Sequence, residues 1–166
     1  MSNVISFNSD TISMSNGQTD VLINVLVLSG SRLAETVDEK RLIVWLAEKD
    51  QSKVGMGTVG FDIGEMPWNA DSLGESKAFL LNVIRGAENR LGWEKLDYLP
   101  NEELIFPVLK KLAELISVFS VEDITRGGLE EWLEAAEEFE PVRCGFPKCE
   151  KHGALISCFG CQICNN

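Results

Sequence analysis

The last two dozen residues of this 166-residue chain hold all five of its cysteines and its only histidine. They read Cys144-x4-Cys149-x2-His152-x5-Cys158-x2-Cys161-x2-Cys164. Little apolar mass accompanies them beyond Ala154, Leu155, Ile156 and Phe159, too little for a core of their own. A structural zinc ion supplies the missing stabilisation in segments of this kind. Zinc takes four soft or borderline donors in a tetrahedron, and two donors separated by two residues share one turn. A Gly or Asn just beyond such a pair lets backbone amides swing towards the thiolates. Two pairs fit: Cys149 with His152, followed by Gly153, and Cys161 with Cys164, followed by Asn165. The eight residues between them allow a small hairpin.

The spacing therefore predicts a Cys3His zinc site of Cys149, His152, Cys161 and Cys164, with Cys144 and Cys158 as alternate donors or spare thiols. A rival arrangement pairs Cys158 with Cys161 and leaves Cys164 free. A disulfide tail suits an odd number of cysteines badly and gives His152 no part. Surplus thiolates close the coordination sphere, whereas catalytic zinc keeps an open position beside a base. The tail also lacks the His-x-Glu and Pro-Cys-x-x-Cys pairing of zinc deaminases. The expected role is a structural staple.

Ahead of the tail, the length suits one ordinary core, and 45% hydrophobic with 25% charged residues is the balance of a globular chain. Three segments are expected: a polar arm over 1–18, a mostly helical acidic domain over 19–141, and the zinc-binding tail over 142–166. The fold class is mainly α, with room for a few short strands. Residues Asp20–Ala34 and Asp38–Lys49 read as helices, although strands over 21–28 and 42–46 fit the same apolar runs. Ser72 and Glu75 stand at capping-box spacing before a helix with Leu80, Ile84, Ala87 and Leu91 on one face, ending near Gly92. Another runs from about Asn101 to Phe119 through Pro107, burying Val108, Leu112, Leu115 and Phe119. A last one, Leu129 to Glu140, carries a narrow stripe of Leu129, Trp132, Leu133, Ala136 and Phe139.

The formal charge is −11, which repels phosphate backbones and anionic membranes and favours basic partners. From Gly127 to Pro141 there are six glutamates and no lysine or arginine. Glu130, Glu131, Glu134, Glu137 and Glu138 form an expected landing surface for a basic protein. Asp62, Glu65 and Trp68, in the glycine-marked stretch from Lys53 to Asn69, are the second candidate surface. Gly55-x-Gly57-x-x-Gly60 matches a dinucleotide fingerprint by letter, but Pro67 and Gly64 follow where that fingerprint needs a helix. No catalytic residue and no organic cofactor is expected, since a metal-bound His152 leaves no histidine for acid–base work. No secretion signal or membrane span is legible, and a cytoplasmic location is expected.

The tail resembles the small Cys-x-x-His-Gly and Gly-Cys-x-x-Cys zinc modules appended to many bacterial proteins, which implies a fold and not an activity. In size, acidity and lack of catalytic groups the chain is similar to bacterial immunity proteins, which implies neutralisation of a basic toxin domain. The expected function is thus a zinc-stapled, acidic protein-binding module of inhibitor type. A hydrolase or transferase using Asp62 and Glu65 is the alternative. A zinc-containing nucleic-acid-binding regulator, working through Arg143, Lys148 and Lys151, is a further one.

Overall fold

A helix with no polar face has to be surrounded by its own protein. In the computed structural model, which describes residues 3–164, that helix is α1 (Asn16–Leu33), buried at every position from Leu22 to Ser31. Ser15 and Gln18 start it with a reciprocal capping box. Three helices pack around it: α2 (Val37–Ala47), α3 (Leu73–Glu88) and α4 (Glu102–Val118). Both ambiguous apolar runs, 21–28 and 42–46, are therefore helical. The polar residues inside α1 have partners: Ser29 Oγ, for example, donates to the Val83 carbonyl at 2.8 Å.

α4 runs unbroken through Pro107 and buries Val108, Leu112 and Leu115, with Phe119 buried just beyond its end. α3 buries Leu80, Ile84 and Ala87 but differs from expectation at both ends. Ser72 Oγ donates to Asp38 Oδ2 at 2.8 Å and makes no capping bond. The helix stops at Glu88, and Gly92 with φ +88° belongs to the following turn. α5 (Gly128–Ala135) is also shorter than the 129–140 expected of it. Glutamates four apart repel along a helix, and Glu140 instead accepts from the Glu137 N–H in a local turn at 2.7 Å. Phe139, placed by its spacing on the apolar stripe, is 79% exposed.

The polar arm expected over 1–18 is a correction. Residues 4–13 form a hairpin of β1 (Val4–Phe7) and β2 (Asp10–Ser13), and α1 begins at Asn16. A short β3 (Phe61–Asp62) pairs in parallel with β1, Ile5 opposite Phe61. Ile5, Phe7 and Ile12 point into the core, the period-two alternation of a half-buried strand. Phe7 meets Phe119 edge-on at 5.5 Å, and Trp68 stacks on the same ring at 5.0 Å. Gly60 makes the parallel pairing possible, because a Cβ there would collide with the Val4 backbone.

At the other end of the chain, β4 (Ile156–Ser157) and β5 (Gly160–Cys161) form the expected hairpin. Its setting was not foreseen. Ala154 and Leu155 are fully buried in the same core as the helices, so the apolar residues of the tail are not its private mass. The hairpin closes the C-terminal end of α1. Leu155 N–H donates to Ser31 Oγ, and Lys148 Nζ donates to the Ser31 carbonyl, each at 2.8 Å. Carbonyls at a helix end lack intrahelical donors, and a lysine there satisfies one of them.

Candidate metal centre

Two tight turns build the centre. In the first, the N–H groups of Lys151 and His152 point at Cys149 Sγ; in the second, those of Ile163 and Cys164 point at Cys161 Sγ. The turns are equivalent, with amides two and three residues on serving the leading cysteine. Gly153 leaves the first with φ +69°, the left-handed conformation that glycine adopts without penalty. Asn165, expected to do the same for the second, lies outside the described residues. The β4–β5 hairpin then brings the turns face to face.

The four donor atoms of Cys149, His152, Cys161 and Cys164 lie within 4.8 Å of one another, close enough to hold one metal ion. Cys149 Sγ stands 3.7 Å from Cys164 Sγ and 3.7 Å from His152 Nδ1. His152 Nδ1 is 3.7 Å from Cys161 Sγ and 3.3 Å from Cys164 Sγ, so Nδ1 is the donor nitrogen. The alternates stand apart from the group. Cys158 occupies the exposed tip of the β4–β5 turn. Cys144 is exposed after the turn 141–143, its Sγ 3.1 Å from the Glu138 carbonyl.

The thiols oppose one another in ionising. Burial pushes Cys149 up, but hydrogen bonds from the His152 amide, the His152 ring, the Lys151 amide and the Cys161 thiol outweigh it and bring the group down to about 6. Burial pushes Cys161 up, and the Cys149 and Cys164 thiols push it further against the pull of its two amides. Three adjacent thiolates cannot all carry charge without a cation among them. A divalent ion held among them would remove that opposition, with all three as its ligands.

Behind the metal donors sits a residue that the spacing argument passed over. Gln162, inside the second turn, is 4% exposed. Its Nε2 donates to Asn24 Oδ1 of α1 at 3.0 Å and to Asp50 Oδ2 at 2.8 Å. Ser52 holds the other oxygen of Asp50 through its N–H at 3.0 Å and its hydroxyl at 2.6 Å. Asp20 hydrogen-bonds to Asp50 as well; burial first, then that bond, raises its carboxyl to about 7. The metal turn is thereby tied to α1 and to the segment after α2. Nothing in the local pattern marks Gln162, because x in Cys-x-x-Cys is ordinarily unconstrained.

The expected partner surfaces fare differently. Glu130, Glu131, Glu134, Glu137 and Glu138 are all exposed, on and just beyond α5. Trp68 is a correction. It is 2% exposed, with its Nε1 donating to the Ile63 carbonyl at 2.8 Å, and it presents no ring to a partner. Asp62 and Glu65 form a capping box around the 3-10 turn 63–65: Asp62 Oδ1 accepts from the Gly64 N–H at 2.9 Å and Glu65 Oε1 from the Asp62 N–H at 2.8 Å. Ser6 Oγ also donates to Asp62 Oδ2 at 2.9 Å. Local structure thus engages both carboxylates. The Gly55–Gly60 stretch enters β3 and opens no helix.

A groove of about 630 Å³ runs between the 68–71 segment and the 121–130 segment, with Asp71, Glu122 and Glu130 on its walls against Arg126. Trp68 belongs to its floor and Glu130 joins it to the α5 face. Among the described residues no helix is long and apolar enough to cross a membrane. Comparison with family models, curated proteins and solved structures gives no match, and nothing in it supports the immunity-protein resemblance.

Proposed function

We propose that the chain is a zinc-stapled binding protein whose acidic face receives a basic protein partner. The observation that carries the reading is the run of exposed glutamates on and after α5, Glu130, Glu131, Glu134, Glu137 and Glu138, which continues into the groove beside Asp71 and Glu122. Three of these carboxylates, Glu130, Glu131 and Glu134, crowd α5 at spacings where like charges destabilise a helix, and α5 does end early. A lysine- or arginine-bearing segment laid along this surface would offset that repulsion. It would also gain association rate and specificity from the charge. Blocking a basic domain is the inhibitor-type role that such a surface serves.

Zinc is the ion the donors suit best. Tetrahedral zinc with Zn–S of about 2.3 Å and Zn–N of about 2.0–2.1 Å spans S···S edges of about 3.8 Å and S···N edges of about 3.6 Å. The donors stand at 3.7 Å for Cys149 to Cys164 and at 3.3–3.7 Å from sulfur to nitrogen. Thiolates with one imidazole select zinc over magnesium, calcium or manganese. Four protein donors fill the tetrahedron, so the ion serves as a staple.

The test has two arms. Metal analysis of protein purified without added metal is expected to return one zinc per chain. A partner crosslinked in the host and then purified is titrated against the wild type and the triple variant Glu130→Lys, Glu134→Lys, Glu138→Lys. Binding is expected to weaken with salt and to fall roughly ten- to a hundredfold in the variant, from a few charge pairs of about 0.5–1 kcal/mol each. An acidic partner, or one indifferent to the reversal, overturns the binding reading whatever the metal content.

A further inference from the structure

The metal donors are not equally protected. Cys161 is 7% exposed and inside the hydrophobic core cluster, Cys149 is half-buried, and Cys164 is exposed. Cys164 and His152 form one wall of a depression of about 210 Å³ whose other walls include Lys95, Lys151 and Asp97. Solvent thus reaches the centre at one edge, through a depression lined by two lysines and one aspartate. Exposed cysteines in electropositive surroundings are the ones that oxidants reach first. Cys149 Sγ stands 3.7 Å from Cys164 Sγ, and a shift of under about 2 Å brings the two to bonding distance.

Resting on the zinc reading above, we infer that the centre is a peroxide-sensitive release switch in which Cys164 and Cys149 join as a disulfide and zinc leaves. The oxidant is a hydroperoxide, hydrogen peroxide in the simplest case. Cys164 Sγ attacks one peroxide oxygen, the O–O bond breaks, and the departing hydroxide takes a proton to become water. The sulfur, oxidised by two electrons, is now a sulfenic acid. Cys149 Sγ attacks that sulfur, the S–S bond forms, the S–OH bond breaks, and the second hydroxide leaves as water with another proton. Two thiolates, one hydrogen peroxide and two protons give one disulfide and two waters. Only His152 and Cys161 remain to hold the ion, too few for a stable tetrahedral site.

The two cysteines outside the centre are the competitors. Cys158 is exposed as a residue, but partial burial of its thiol first, then Glu48 and Glu140, push that thiol up to about 11, which leaves little thiolate at neutral pH. Cys144 is exposed and can react, but with no consequence for the ion.

The experiment uses the full chain as purified with its metal. Hydrogen peroxide is added in the presence of a chromogenic zinc chelator, and the protein is then digested without reduction for mass spectrometry. The expected result is one zinc released per Cys149–Cys164 disulfide, with recovery on adding dithiothreitol and zinc. The double variant Cys144→Ser, Cys158→Ser is expected to release zinc at the wild-type rate, and Lys95→Gln, Lys151→Gln several-fold more slowly. Retention of zinc while Cys144 or Cys158 is oxidised overturns the switch and leaves the staple standing. Release with a disulfide to Cys158 also overturns it. Protein that arrives without zinc under reducing conditions removes both readings at once.

Discussion

The two hairpins of this protein solve the same problem in different ways. Both are short antiparallel pairs joined by two-residue turns, β1–β2 at Asn8 and Ser9 and β4–β5 at Cys158 and Phe159. Neither is stable as an isolated pair in water. The N-terminal one is held by side-chain burial and sheet pairing: Ile5, Phe7 and Ile12 enter the core, and β3 extends its sheet. The C-terminal one buries Ala154 and Leu155 at its base, while its far side is the set of Cys149, His152, Cys161 and Cys164. Ten residues with three large apolar side chains and a neighbouring strand dock through ordinary packing. The hairpin of two-residue strands has its contacts to α1 and four donors close enough to hold one ion.

The comparison is broken most severely by removing a buried ligand. Cys161→Ser is expected to abolish stoichiometric metal, because three donors remain and one thiolate's contribution to a site worth roughly 10 kcal/mol or more in small metal domains is lost. Hydrogen exchange should then show loss of protection over 148–163 while α1, α3 and α4 stay protected. If the whole chain unfolds together, the hairpin is no separable staple and the contrast between the two ends fails.

Phe7→Ala tests the other end. Phe7 is 4% exposed and lies against Phe119, so truncation is expected to cost about 3–5 kcal/mol. Denaturant unfolding should report it with the zinc content unchanged. A loss below 1 kcal/mol would mean that the N-terminal hairpin is as peripheral as its polar composition suggests.

Gln162→Ala sharpens the link between metal turn and helix. It leaves Asn24 Oδ1 and Asp50 Oδ2 without this donor, an expected cost of about 1–3 kcal/mol. Chelation by a competing dye should also run faster than in the wild type. Unchanged stability and chelation rate would show that the turn is held by its ion alone.

The smallest effect is in pH. Asp20 is raised to about 7 by burial and then by its bond to Asp50. A carboxyl raised on folding stabilises most below its unfolded value and loses that contribution as pH climbs through its folded one. This group therefore contributes stability at pH 4 that is gone above about pH 7. Asp20→Asn keeps a donor to Asp50 without the titration, so its stability should be flatter than the wild type between those limits. A wild-type curve parallel to that of the variant would remove Asp20 from the network around Gln162.

Much of the frame was legible in advance. Leu22–Leu28, interrupted only by Asn24, and Leu42–Ala47 are apolar runs, which left helix and strand undecided, and the packing of three helices around α1 settled the matter. The clustering of the four donors was readable because Cys149–His152 and Cys161–Cys164 each lie within one turn of chain, where spacing alone sets direction. Trp68 was misjudged for the opposite reason. A tryptophan between Pro67 and Asn69 in a glycine-marked stretch looks loop-like, and only Phe119, fifty-one residues on, decides that it is buried. The polar arm failed similarly: Ile5, Phe7 and Ile12 alternate, but a hairpin of so few apolar residues has no stability until a core receives it.

What the chain determines by itself is its local chemistry: the two donor turns, the helix cap at Ser15, and the glutamates crowded around α5. Short-range covalent geometry and like-charge repulsion act whatever the rest of the molecule does. Only the tertiary structure decides that Cys161 is shielded while Cys164 faces solvent beside Lys95 and Lys151. It alone places Gln162 between Asn24 and Asp50, and Lys148 on the last turn of α1. Burial and partnership at those positions are set by residues far away in sequence, whose approach depends on how four helices pack.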